Sequence, residues 1–394
     1  MKREDYIDFA KGIGILIVVL GHASLVGLPV HFFIYSFHMP LFFVITGMLT
    51  AVTKAYDRPF KSVFLSRLRT IMLPYLIFSV IYTVIDYLEL TLAPTDTKAF
   101  YFPLNIKDSL TLVGSGPLWF LPTLFISECI YIFLIRKKGF KIGNIIALVS
   151  AALGFAALCF IRTPYMDSRT LDDSRFLLLD PAFVIVRSII CLIFLAFGAL
   201  LYRGFELLKE RTHLKYPRIL QAVLGVLLMT VTFFISIIPY ITNPPFNDFM
   251  PQSVDMHYMY LVNPAYFLVC SLMGSTGLIL LCKALCPLRS DDAGSTAGHR
   301  SVAVLSLCNR LIRFWGRNSL LIMVTHLNCY VLFLGRSFAM FVNPYITHAK
   351  TYIYMFNTMW SAMLIESVLI LLVNRFCPQI LGKPGSKSGK KQTS

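Results

Sequence analysis

Charge is scarce in this sequence: 14% of its 394 residues are Asp, Glu, Lys or Arg, and acidic residues number 20 against 36 basic ones. A soluble domain of this length needs far more charge to cover its surface, so that class is excluded. Cysteine is present but never in the pattern that staples a secreted domain. The nine Cys, at 129, 159, 191, 270, 282, 286, 308, 329 and 377, fall in apolar stretches or in segments expected inside the cell, which excludes a disulfide framework. Cys282 and Cys286 are one helical turn apart, yet no His or Cys completes a metal set, and packing is their expected role. No internal repeat is visible, which argues against a transporter built on inverted repeats.

What is abundant is apolar sequence, 57% of the chain. Apolar runs of about 20 residues each match the hydrocarbon thickness of a bilayer. The expected fold is an all-α integral membrane protein with about ten transmembrane helices and both termini in the cytoplasm. The spans fall near 7–27, 31–53, 70–90, 117–135, 142–161, 181–202, 219–240, 259–281, 318–338 and 352–374. Most Lys and Arg then lie in cytoplasmic segments, as the positive-inside rule requires. The net charge of +16 therefore reflects topology, and nucleic acid is not an expected partner. The first run carries Asp8, Lys11 and His22, unlike the apolar core of a cleaved signal peptide. A membrane domain is expected over 1–376, followed by a basic disordered tail over 377–394. Residues 91–116, 162–180 and 241–258 read as outer loops, and 287–317 opens as a flexible linker.

Ionisable groups inside spans are costly and mark functional sites. Lys11 and His22 stand eleven residues apart in the first span, on nearly the same helix face and about 16 Å apart along the axis. Asp8 shares that stripe, although snorkelling at the headgroup level also accounts for Asp8 and Lys11. In the second span His38 is expected at the depth of His22, across a short hinge near Pro29. Pro40 removes a backbone donor and frees the carbonyl near Ser36, a break tolerated where it lines a cavity. Phe42, Phe43 and Gly47 allow either tight packing or passage of a thin acyl chain. Glu128 sits mid-span, as a site or in an ion pair. His326 either lines a path for a long substrate arm or pairs with Glu128. Arg187 either binds an acceptor or pairs with Asp180. Trp119 and Phe120 either stack on a sugar or join the interfacial aromatic belt. Glu366 has no assigned role.

The run DYIDFAKGIGILIVVLGH, followed by SFHMPLFFVITGML, RLRTIMLPY, GPLWFLPTLFISE and GRNSLLIMVTH, resembles the acyltransferase-3 family of membrane O-acyltransferases. It is closest to the branch described as fucose 4-O-acetylase-like. The resemblance implies transfer of an acyl group, usually acetyl, from cytoplasmic acyl-CoA to a hydroxyl of an extracytoplasmic or lipid-linked glycan. It implies residence in the plasma (inner) membrane, with acetyl-CoA as donor substrate and no tightly bound cofactor or metal. His22 is then the matched catalytic residue, with Lys11 as the basic residue of the motif. Arg67 and Arg69 match a basic patch, although the family often separates its two Arg by two residues and this chain does not. Acyl transfer to a hydroxyl needs a base, which neutral imidazole supplies, and a donor for the oxyanion. His38, Trp119, Asn318 and Ser319 are candidates for that donor. Lys54, Arg58, Lys61, Arg67 and Arg69 are the cations available for the phosphates of the donor. A glycan or lipid-linked sugar transporter, or a scaffold of a polysaccharide synthesis complex, are the competing functions.

Overall fold

The computed structural model describes residues 4–23, 29–167, 174–211, 217–242, 254–286, 299–342 and 352–383. These residues are helical apart from turns and one isolated antiparallel bridge, Asp255 with Tyr260. In chain order the helices are α1 Asp5–Ala23, α2 Pro29–Thr53, α3 Phe60–Arg67, α4 Leu73–Leu92, α5 Asp96–Leu110, α6 Phe120–Asp167, α7 Phe176–Ile190 and α8 Leu192–Arg211. There follow α9 Pro217–Ser236, α10 Ile238–Thr242, α11 Pro264–Leu285, α12 His299–Arg317, α13 Ser319–Thr325, α14 Val331–Val342 and α15 Tyr352–Phe376. Among the described residues eight helical stretches are long and apolar enough to cross a membrane.

The expected spans and the helices differ in three informative places. Spans 117–135 and 142–161 are two arms of α6, separated at Gly139, whose φ of +76° only glycine adopts without strain. Span 318–338 is not one helix. It divides into α13 and α14 around a turn at 326–330, where Tyr330 has φ +60° and the Leu332 N–H reaches back to the His326 carbonyl. Non-helical backbone at membrane depth is tolerated when protein covers it, and Met323 and Val324 just before the turn are buried. Residues 91–116, expected as a loop, contain α5, whose N-terminus is capped by the Thr95 hydroxyl accepting from the Lys98 N–H. The expected tail also starts too early. Residues 378–381 form a 3-10 turn, and Lys383 donates to the Asn374 and Asn318 side-chain oxygens at 2.6 and 3.4 Å. The linker at 287–298 and the tail from 384 lie outside the described residues.

α1 packs against α2, α11, α12, α13 and α15. Two of its contacts bring backbones together. A Cβ on Gly12 would lie 2.0 Å from the Ile312 carbonyl oxygen, and one on Gly316 1.9 Å from that of Asp8. The same reciprocal arrangement joins α2 to α8, where Gly47 abuts the Leu195 carbonyl and Gly198 that of Val44. Lipid tails offer helices no hydrophobic reason to associate, so close backbone approach through small residues supplies the packing energy. Gly47 is thus a helix contact, and Phe42 and Phe43 are buried with it against Phe120.

Pro40 frees a carbonyl as expected, and the structure supplies its partner. The Ser271 hydroxyl on α11 donates to the Ser36 carbonyl at 2.9 Å, so the proline break is closed by a hydrogen bond between helices. Near the N-terminus, α1 and α12 are joined by two ion pairs, Asp5–Arg313 at 3.0 Å and Asp8–Arg317 at 3.2 Å. Both carboxylates sit in the first turn of α1, where the helix dipole favours negative charge.

Gly198→Val is expected to cost about 1–3 kcal/mol through overpacking, read as a lower melting temperature of the detergent-solubilised protein. Gly204→Val is the control, since an added Cβ there meets nothing within 4 Å.

Candidate active site

A cavity of about 230 Å³ opens at the C-terminal end of α1. His22, Tyr35, His38, Trp119, Asp255 and His257 provide its polar and aromatic wall, and Val18, Met39, Met323 and Leu327 its apolar floor. His22 lies in the last turn of α1, and the Arg336 guanidinium on α14 donates to its carbonyl at 3.2 Å, capping that helix end. Tyr35 and His38 come from one face of α2. With His31 they occupy positions i, i+4 and i+7, so the three rings form a stripe: His31 stacks on Tyr35 with centroids 4.0 Å apart, and Tyr35 meets His38 edge-on at 4.9 Å.

The hydrogen bonds of the histidines define their chemistry. His38 Nδ1 lies 2.9 Å from the Ile34 carbonyl, and His326 Nδ1 lies 2.9 Å from that of Ile322. A carbonyl only accepts, so both Nδ1 atoms carry hydrogen, and in the neutral ring Nε2 is left as the acceptor. His326 Nε2 is buried with no hydrogen-bond partner among the described residues. Its ring lies 5.1 Å from that of His22, centroid to centroid. His22 Nδ1 itself lies 3.3 Å from the Tyr35 hydroxyl. When the His22 Nδ1–H donates to that oxygen, Nε2 becomes a free base and the Tyr35 O–H is released to donate elsewhere.

The turn at 326–330 is what delivers His326 to this place. It is fixed from both sides. The Tyr82 hydroxyl donates to the Val324 carbonyl, and Thr325 Oγ1 lies 2.8 and 2.9 Å from the two carboxyl oxygens of Glu366. Glu366, fully buried on α15, therefore has a partner next in sequence to His326.

The mouth is equally fixed. Arg187, fully buried, donates to the carbonyls of His257 at 2.7 Å and Val113 at 3.1 Å, and its guanidinium lies 5.1 Å from the Trp119 ring centroid. Trp119 and His257 stack nearly parallel, 6.0 Å apart. Trp119 is 7% exposed, so it belongs to the interior and not to an interfacial belt.

The structure separates several residues that the sequence placed together. Asp8 and Lys11 share a stripe with His22 but lie about 21 and 16 Å away along the helix. Asp8 holds Arg317, and Lys11 is within electrostatic reach of Glu128; neither lines the cavity. Glu128 pairs with Arg67, not with His326: Arg67 Nη2 and Nε approach Oε1 at 2.7 and 2.9 Å. A π-type turn at Leu68–Met72 separates Arg67 from α4 and lets it face Glu128. Arg69 and Lys61 are exposed at the same end. Asp180 pairs with Lys107 at 3.1 Å, so Arg187 is not its partner. Asn318 and Ser319 begin α13, about 10–12 Å along the helix from His326. The Asn318 amide donates to the Phe314 carbonyl, its oxygen accepts from Asn374 and Lys383, and it is not among the residues lining the cavity. His38 is likewise not a donor in its neutral form, since its one N–H is on Ile34.

The residues that sequence reasoning missed are Tyr35, Asp255, His257, Arg336 and the Thr325–Glu366 pair. The stripe of His31, Tyr35 and His38 was readable from spacing; the others are brought in by chain segments far apart in sequence.

Against known proteins, the family model described as an acyltransferase domain, acyltransferase-3, matches residues 4–373. The chain belongs to the acyltransferase-3 family. No curated protein and no solved structure matches it. The match embraces every segment that builds the cavity, so this acyltransferase carries its candidate site within the family domain.

Arg67→Met is expected to destabilise the protein by about 3 kcal/mol, because it leaves the Glu128 carboxylate buried without its ion-pair partner. Adding Glu128→Gln should restore much of the loss, with thermal unfolding of the two single and the double variants as the check.

Proposed function

We propose that this membrane acyltransferase moves an acetyl group from cytoplasmic acetyl-CoA to a hydroxyl of an extracytoplasmic or lipid-linked glycan, with His22 as general base. The observation that carries the proposal is the convergence on His22 of groups whose hydrogens are already assigned. His326 and His38 have their N–H donated to helix carbonyls, and Tyr35 sits on His22 Nδ1. His22 Nε2 is thereby the group suited to take a proton from a bound hydroxyl.

The acceptor oxygen attacks the thioester carbonyl carbon as its proton passes to His22 Nε2. The C–O bond forms and negative charge develops on the carbonyl oxygen. The Tyr35 O–H, freed by accepting from His22 Nδ1–H, is one donor in the cavity wall to meet it; the indole N–H of Trp119 is another. Collapse breaks the C–S bond, and the proton on His22 passes to the thiolate, releasing free CoA. Direct transfer needs one cavity, while an acyl-histidine relay adds a covalent step at the same atom. Lys61 and Arg69, exposed at the end of the bundle that carries Arg67, suit the phosphates of the donor. Arg67 contributes only the edge not turned to Glu128. The resemblance to fucose 4-O-acetylase-like sequences supports a sugar as the acceptor and the plasma (inner) membrane as the location.

The test is turnover of acetyl-labelled acetyl-CoA by protein in inside-out vesicles supplied with glycan extract. Wild type is expected to release CoA and move label to lumenal carbohydrate, and His22→Ala to do neither. Tyr35→Phe should lower kcat roughly 100-fold with little change in the KM for acetyl-CoA. Absence of CoA release with acetyl-CoA and every other acyl-CoA would sink the proposal and direct attention to glycan translocation.

A further inference from the structure

Glu366 has too few hydrogens around it for an ionised carboxylate. It is fully buried on α15, and both of its oxygens face a single hydroxyl, Thr325 Oγ1, at 2.8 and 2.9 Å. That hydroxyl also lies 2.7 Å from the Leu321 carbonyl, one turn back on α13. Three acceptor oxygens therefore surround one O–H. Thr325 has one hydrogen to give, and two oxygens at this distance with no hydrogen between them repel. Among the described residues no cation answers the carboxyl, and its electrostatic neighbours are Tyr82 and Cys329. A buried carboxylate keeps its charge when a cation or several donors meet it, as Arg67 meets Glu128. Glu366 has neither.

The arrangement closes when the carboxyl carries a hydrogen of its own. The Thr325 O–H then donates to the Leu321 carbonyl, as hydroxyls inside helices do, and its oxygen accepts from the Glu366 acid. Each link of the chain from Glu366 through Thr325 to Leu321 now holds one hydrogen. The chain joins α15 to the last residue of α13, where helix stops and the turn at 326–330 begins. His326 is the next residue, with its ring 5.1 Å from that of His22. Tyr82 holds the Val324 carbonyl on the other side of Thr325.

We propose that Glu366 is a positioning residue of this acyltransferase. As a neutral carboxylic acid it donates to Thr325, and that bond fixes where α13 ends and so where His326 stands against His22. The effect on turnover rests on the acyl-transfer proposal; the hydrogen on Glu366 and its hold on the turn do not.

Glu366→Gln keeps the shape and a donor without the acid, since an amide N–H replaces the O–H. Glu366→Leu and Thr325→Val remove the bond from either side. In CoA release from acetyl-CoA, Glu366→Gln is expected to keep kcat within about twofold of wild type, and the other two to lose about 10–100-fold with the KM for acetyl-CoA unchanged. Equal loss in Glu366→Gln and Glu366→Leu shows that a charge is what matters and overturns the neutral acid. Full kcat in Glu366→Leu overturns the positioning role. Two measurements need no turnover. Infrared spectra at neutral pH should show the carbonyl stretch of a protonated carboxylic acid in wild type that Glu366→Gln lacks; identical spectra overturn the neutral acid. Alkylation of Cys329, half-buried in the turn, is read by peptide mass spectrometry against the exposed Cys377. It should quicken in Glu366→Leu and Thr325→Val but not in Glu366→Gln, and an unchanged rate in all three overturns the positioning role. If wild type releases no CoA from any acyl-CoA, acyl transfer is what fails, and the infrared and alkylation results decide this inference.

Discussion

The cost of holding polar groups away from water is the constraint on which this structure depends. Several departures from plain apolar helix have a named answer. The carbonyl freed by Pro40 is taken by Ser271, a residue of α11. The Val324 carbonyl beside the helix break is taken by Tyr82. Glu128 is answered by Arg67, Asp180 by Lys107, and the carbonyls of Val113 and His257 by Arg187. Interruptions of this kind survive only where neighbouring chain closes them, so their partners are as much part of the architecture as the helices.

Helix association follows a second rule. α1–α12 and α2–α8 meet backbone to backbone, each through a reciprocal pair of glycines. α1 and α2 are thereby each fixed against another helix, and these two helices carry His22, Tyr35 and His38. The polar constraint sets which groups lie inside; the glycine contacts set how closely the helices bearing them approach. The end of α1 bearing Asp8 and Lys11 serves charge pairing, and the end bearing His22 serves the cavity.

Much of this was legible in the sequence. Apolar run lengths gave the all-helical membrane class, the Lys11 to His22 spacing pointed to the family, and Pro40 identified a carbonyl in need of a partner. Pairing across distance was not legible. Ser271 lies 235 residues from Ser36 and Glu128 61 from Arg67, and no local period records either. A shared helix face did not by itself define the cavity, because Asp8, Lys11 and His22 share direction but, as their spacing already indicates, not depth. Glu366 had no readable partner because Thr325 meets it only once the ninth span has broken. Residues 254–257 read as ordinary polar loop, since the Asx-type turn that aims Asp255 is visible only with its bridge to Tyr260.

The tethering of His38 and His326 to carbonyls four residues back on their own helices separates two kinds of inheritance. Helical geometry alone dictates which nitrogen of each ring bears hydrogen, so the proton inventory of the site is written into regular secondary structure. The surface facing it is carried by turns that tolerate insertion and exchange. A lineage of such proteins is thus free to vary the molecule it accepts by altering turns, while the acid–base character of the imidazoles passes on unchanged as long as two helices keep their pitch.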